Sequence, residues 1–183
     1  MSIIKDGKGT GRTLHINSEN KAEVTSVSQP IDQHVNDTYQ KVFSLPFDGI
    51  DPAGADDYFV HINNTGIKNL RITDIRLKST VAGTVEIHKV IGTASYASDT
   101  DITPVNRFLG STNLPVAVIK TDTNTTGITN DGVLFYINCD TVNATNHVRT
   151  SSNIIIPPGQ QIALLWDTGT GVLSGVISLV EDE

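Results

Sequence analysis

Residues 153–183 read NIIIPPGQQIALLWDTGTGVLSGVISLVEDE. Three apolar runs are separated by Pro157-Pro158-Gly159, which no helix tolerates, and by the turn-rich DTGTG at 167–171. In QIALLW, period-two alternation places Ile162, Leu164 and Trp166 on one face and Ala163 and Leu165 on the other. In GVISLV, Val176 and Val180 oppose Ile177 and Leu179. An antiparallel strand with one wet face alternates apolar and polar residues. These two strands are apolar on both faces, so both faces should be covered. The stretch therefore predicts an all-β, antiparallel β-sandwich with its last strands in the middle. One face would pack in the core, the other against a loop or a neighbouring subunit. Ala163, Leu165, Val176 and Val180 are the candidates for such a subunit interface.

The rest of the chain agrees with an all-β reading. It has 183 residues, 38% hydrophobic and 18% charged, and the balance is Thr, Asn, Ser and Gly. That composition favours strands and turns over helices. The length suits one domain with a sizeable core. YFVHI (58–62) and LRITDIRLKS (70–79), joined through NNTG, predict a hairpin. In the second of these, Leu70 and Ile72 fall out of phase with Ile75 and Leu77, and the extra residue at Thr73-Asp74 predicts a β-bulge. TVEIHKV should place Val85 and Ile87 on one face, Glu86 and His88 on the other. Pro46 in YQKVFSLPF predicts an edge or a bulge. Residues 91–104, IGTASYASDTDITP, read as a long loop, and LPVAVIK and GVLFYIN as further strands. Residues 1–12, with alternating glycines, read as a flexible N-terminal arm. Residues 13–183 read as one sandwich domain, in which 13–28 form a small hairpin that could stand apart.

Charge narrows the function. The net charge is −7, with −1 in residues 1–90 and −6 in residues 91–183. A general nucleic-acid binder needs a basic face, so nucleic acid is not expected as a partner. No apolar run approaches the roughly 20 residues of a membrane helix, and no membrane partner is expected. The single cysteine, Cys139, excludes an internal disulfide. MSIIKDGKGTG lacks the apolar core of a signal peptide, so synthesis in a reducing cytosol without signal-driven export is the expectation. Glycosylation at the Asn-x-Thr triplets of Asn36, Asn63, Asn124 and Asn143 is therefore not expected.

A search for chemistry finds little. His15, His34, His61, His88 and His147 are scattered without metal-ligand spacing, although His61 and His88 could converge across neighbouring strands. Asp99 and Asp101, or Asp51, Asp56 and Asp57, could offer oxygens to calcium, but none belongs to an EF-hand pattern. GKGTGRT lacks the phosphate-loop spacing and opens no helix. Cys139 at a strand end reads as a small buried filler rather than a nucleophile. The expectation is a non-enzymatic protein with no cofactor and no metal.

Several segments in order resemble the small β-sandwich virion proteins of tailed bacteriophages. KDGKGTGRTLHINSENKAEVTSV resembles their opening arm and hairpin, and FVHINNTGIKNLRITDIRL their recurring pair of strands. TPVNRFLGSTN resembles a loop placed after a strand, and IIIPPGQQIALLW their closing strands. The ending SLVEDE departs from the pattern, which often carries an aromatic there. The resemblance implies a jelly-roll-like sandwich, usually a homotrimer, which binds the major capsid protein and decorates or cements the capsid surface. A tail or head fibre that recognises a host surface glycan is the alternative, with residues 91–104 as its binding loop. On the first reading Lys5, Lys8 and Arg12, against Asp6, make a locally basic arm for docking.

Overall fold

The computed structural model describes residues 39–182, with side chains at 39–146 and 154–182, and the strand backbone at 3–5, 13–16 and 22–23. The chain divides into two units, Met1–Pro30 and Ile31–Glu183. In the first, β1 (Ile3–Lys5), β2 (Thr13–Ile16) and β3 (Ala22–Glu23) form an antiparallel three-stranded sheet. The hairpin expected within 13–28 is thus joined by a strand from the segment read as an arm, and the unit boundary lies at residue 30 rather than 12.

The second unit is an antiparallel β-sandwich. Its strands are β4 (Val42–Ile50), β5 (Asp57–Asn64), β6 (Leu70–Ser79), β7 (Gly83–Ser95), β8 (Thr100–Asp101), β9 (Val105–Asn106), β10 (Ala117–Thr121), β11 (Thr126–Cys139), β12 (Asn146–Ile156), β13 (Gln161–Trp166) and β14 (Leu173–Glu181). One sheet has the order β12-β6-β14-β4-β9, the other β11-β7-β13-β5-β10-β8. Strands β4 to β7 pair with β14, β13, β12 and β11 respectively. That is one long antiparallel ribbon, wound so that each successive strand enters the opposite sheet. The additional pairs β13–β7 and β14–β6 close the two sheets. This is the jelly-roll arrangement, and β8, β9 and β10 extend its edge from an insertion between β7 and β11.

The final strands occupy the centres of both sheets, as their two apolar faces predict. β13 lies between β7 and β5, and β14 between β6 and β4. Trp166, Phe43, Phe59, Ile62, Ile75 and Leu164 meet between the sheets without exposure to solvent. The indole N–H of Trp166 donates to the Thr170 carbonyl at 2.9 Å, so its one polar atom is satisfied inside the core. The bulge also stands where the phase slip puts it: Ser178 pairs with Asp74 and Leu179 with Ile72, which leaves Thr73 unpaired between them. Pro46 lies in β4, whose outer side carries only the two-residue β9, so its missing N–H interrupts no long ladder.

Two expectations fail. β5 and β6 are not a hairpin; they lie in different sheets, and residues 65–69 carry the chain across the sandwich. Alternation reports which face of a strand is apolar and is silent on which strand lies beside it. Residues 91–104 are not all loop either, because β7 runs on to Ser95. That extension passes beyond the end of β13, whose last partner on β7 is Val90, and pairs only with β11.

Candidate functional site

The outer face of the six-stranded sheet carries the densest polar side-chain cluster among the described residues. Register builds it. Tyr58, Leu165 and Glu86 stand side by side on β5, β13 and β7; in the next row stand Lys120, His61, Ala163 and His88. The strand expectation for Glu86 and His88 therefore holds, whereas His61 and His88 share a row but not neighbouring strands, because β13 with Ala163 lies between them and each ring bonds its own partners.

The two histidines are held differently. The Tyr58 hydroxyl meets His88 Nδ1 at 2.9 Å, and His88 Nε2 meets Glu86 Oε2 at 2.7 Å. A carboxylate only accepts, so Nε2 carries the proton and the phenol donates to Nδ1. His61 Nε2 meets Gln161 Oε1 at 2.7 Å, and its Nδ1 meets the Tyr96 hydroxyl at 2.7 Å. The Gln161 amide nitrogen donates to the Gly92 carbonyl at 2.8 Å, which fixes the amide orientation. The proton of His61 therefore sits on Nε2 as well. Both rings are buried, His61 to 1% exposure.

The electrostatics favour neutral, hydrogen-bonded groups over reactive ones. Burial pushes the His61 imidazole below its ordinary value, against the opposing hydrogen bond from Gln161. Burial and then the Glu86 charge push the Tyr58 phenol up. Burial also raises Tyr96, although Lys120, whose ammonium lies 5.0 Å from the ring centroid, pulls the other way. A nucleophile or general base needs the opposite shift in a phenol. Cys139 sits in the core, and its thiol is pushed up to about 11 by burial, far from the thiolate a nucleophile requires.

Asp99 and Asp101 meet this cluster through Lys120. A cleft of about 520 Å³ opens at the β4 and β8 edge, lined by Asp48, Asp51, Ser98, Thr100, Asp101 and Thr103 among others. Asp122 also lines it, but its carboxylate accepts from the backbone N–H groups of Ala97, Ser98 and Thr123 at 2.8–2.9 Å. Burial would raise its pKa, and these bonds outweigh burial and hold it below the ordinary carboxylate value. The calcium candidates do not assemble. Lys120 binds Asp99 and stands 3.4 Å from Asp101, so an ammonium occupies the place between them. Among the described residues, no group of three or more His, Cys, Asp or Glu side chains is placed to hold a metal ion.

The interface candidates need correction. Ala163, Leu165 and Val180 are buried by their own chain, and Val176 is half-buried. Val180 packs with Val42 and Tyr39. Cover for Ala163, Leu165 and Val180 comes from the same molecule, so these three are not free for a neighbouring subunit. Of the arm candidates, Lys5 lies on β1, with its side chain outside the described residues; Lys8 and Arg12 lie outside them altogether.

The surface that sequence reasoning missed is the segment between β9 and β10. Leu109 is 90% exposed, and Phe108, Leu114 and Val116 are exposed beside it in sequence. Ile67 joins them at 88% exposure, since its neighbour Gly66 packs against Val116. The segment is braced. The Arg107 N–H donates to the Val42 carbonyl at 2.8 Å, its guanidinium reaches Ser44 and Ser178, and the Asn106 amide donates to the carbonyls of Gln40 and Asn113. The available signal was an apolar set without strand alternation inside VNRFLGSTNLPV, where Gly, Asn and Pro forbid a strand.

Comparison with protein-family models, with curated proteins and with solved structures gives no match.

Proposed function

We propose that this chain is a non-enzymatic structural virion protein that binds the outside of a phage capsid and stabilises or decorates it. The observation that carries the reading is the braced segment 107–116, which holds Phe108, Leu109 and Leu114 in water, Leu109 being the most exposed of the large apolar side chains described. An ordered apolar patch in solvent marks a protein-docking surface. The resemblance of the sequence to phage β-sandwich proteins supplies the partner, the major capsid protein, and the expected homotrimer. Cys139, the cysteine weighed as a nucleophile, has its thiol pushed up by burial, away from the reactive thiolate.

A second reading, a fibre or receptor-binding module for a host glycan, draws support from the edge cleft. Residues from the 91–104 segment, Ser98, Thr100, Asp101 and Thr103, supply hydroxyls and a carboxylate to it. The two readings differ in stoichiometry. The deciding experiment is to purify the parent particle and ratio this protein to the major shell protein on a gel. Hundreds of copies in a simple ratio support decoration or cement. A handful supports the fibre, with glycan binding tested next. Absence from the particle overturns both.

A further inference from the structure

We propose that the β7–β11 ribbon is an acid-released strap, latched over the outer face of the six-stranded sheet through His61. The inference concerns the isolated chain and does not depend on the particle reading.

The geometry makes the latch. Beyond Val90, β7 leaves β13 and pairs only with β11, through Gly92 opposite Ile128 and Ser95 opposite Thr126. The ribbon bends at Gly92, whose φ is +108° and whose Cα lies against the Gly127 carbonyl so closely that a Cβ would stand 2.5 Å from its oxygen. Tyr96, at the ribbon end, then reaches back to His61, two strands away on β5. The chain of bonds runs from the Tyr96 hydroxyl to His61, from His61 to Gln161, and from Gln161 to the Gly92 carbonyl. One neutral imidazole, acceptor on one side and donor on the other, thus ties down both ends of segment 92–96. Ala163, in register between His61 and His88, is buried.

Protonation breaks this arrangement because no carboxylate is free to answer the new charge. On β5 the neighbours are Tyr58 and Asn63; on β13, Gln161 and Ala163. On β10, Lys120 stands in register beside His61 and adds a fixed positive charge. The carboxylates Asp99 and Asp101 are engaged by Lys120, Asp122 by three backbone N–H groups, and Asp131 by Lys89. On β7, Glu86 is bound to His88, so His88 has a counter-charge and His61 has none. Protonated His61 becomes a donor at Nδ1 as well, so the Tyr96 hydroxyl must rotate to accept, and the latch then holds a buried charge with no counter-charge. Opening the strap returns the ring to water, where its ordinary value of about 6.5 applies. The direction follows: the closed strap is favoured above about pH 6.5 and loses ground as the pH falls below it.

Hydrogen exchange on the full-length protein at pH 7.5 and 5.0, corrected for intrinsic rates, tests this. Ribbon amides in 91–97 and 122–130 should lose protection about tenfold at pH 5.0, with a ceiling of about 30-fold set by a 1.5-unit excursion below an open-state value of 6.5. Core amides in 70–79 should not change. His61→Gln should remove the pH response, and His88→Gln should keep it. Tyr96→Phe should raise ribbon exchange several-fold already at pH 7.5. Should His61→Gln fail to fold, an NMR titration of the native His61 ring decides, with a midpoint below 6.5 expected. Equal ribbon protection at the two pH values, an unchanged response in His61→Gln, wild-type protection in Tyr96→Phe, or a His61 midpoint at or above 6.5 overturns the proposal.

Discussion

Two residues carry disproportionate weight, and only one of them announced itself. Trp166 is fully buried between the sheets with its N–H bonded to Thr170. Replacing it with Ala leaves a large cavity and an orphaned carbonyl, and should cost about 3–5 kcal/mol in urea unfolding. Its emission should be blue-shifted and poorly quenched by iodide in the native protein. Asp122 works differently. Three backbone N–H groups converge on it from 97–98 and 123, so it holds together two segments 24 or 25 residues apart. Asp122→Asn keeps one acceptor oxygen and should cost about 1–3 kcal/mol. The pH dependence has a definite sign. The folded carboxyl lies below the ordinary value, so its contribution is complete above about pH 4 and fades as the pH falls through the folded value. Melting temperatures of wild type and Asp122→Asn should therefore converge on acidification. Trp166 was legible because alternation marks buried faces. Asp122 was not, because its partners are backbone groups of a distant turn, which no residue pattern records.

At the scale of elements, phase was legible and pairing was not. The slip between Ile72 and Ile75 predicts the bulge at Thr73, since four core positions must all point inward. The double-sided apolar pattern of β13 and β14 likewise predicts their central places. The same logic misreads β5 and β6 as partners, because a strand that crosses to the opposite sheet keeps the same alternation as one that turns back. The β7–β11 ribbon escaped for another reason. TASYAS reads as loop because it is small and polar, and its first three residues are strand only because β11 runs alongside. The ribbon rests on Gly92. Gly92→Ala forces a Cβ against the Gly127 carbonyl at a φ that L-residues rarely adopt, at a cost of about 1–3 kcal/mol. Limited proteolysis should then cut within 92–98 or 124–130 sooner than in wild type. If the cleavage rate stays at the wild-type level, the bend is not what closes the ribbon.

At the scale of the whole molecule, the chain consists of two units with unequal means of support. The sandwich has a core spanning both sheets, and its central strands pair on both sides. In the N-terminal unit the described residues form the short strands β1, β2 and β3, and so small a sheet contributes little stability of its own. A chain starting at residue 31 should therefore keep the fold of the sandwich, with a melting temperature within a few degrees of the full-length protein. A large loss of stability would show that the unit boundary is misplaced. On the proposed virion function, the same truncation separates two routes of particle attachment. If Lys5, Lys8 and Arg12 dock the protein, the truncated chain should fail to bind emptied particles, and full-length binding should weaken with salt. If the apolar segment 107–116 docks it, the truncated chain should bind, salt should matter little, and Leu109→Ser with Leu114→Ser should abolish attachment while leaving the melt unchanged. Both side chains are exposed, so their replacement removes docking surface without opening the core. On that proposal the apolar route is the expected one, because the braced geometry keeps those side chains in water at a hydrophobic cost that docking would relieve.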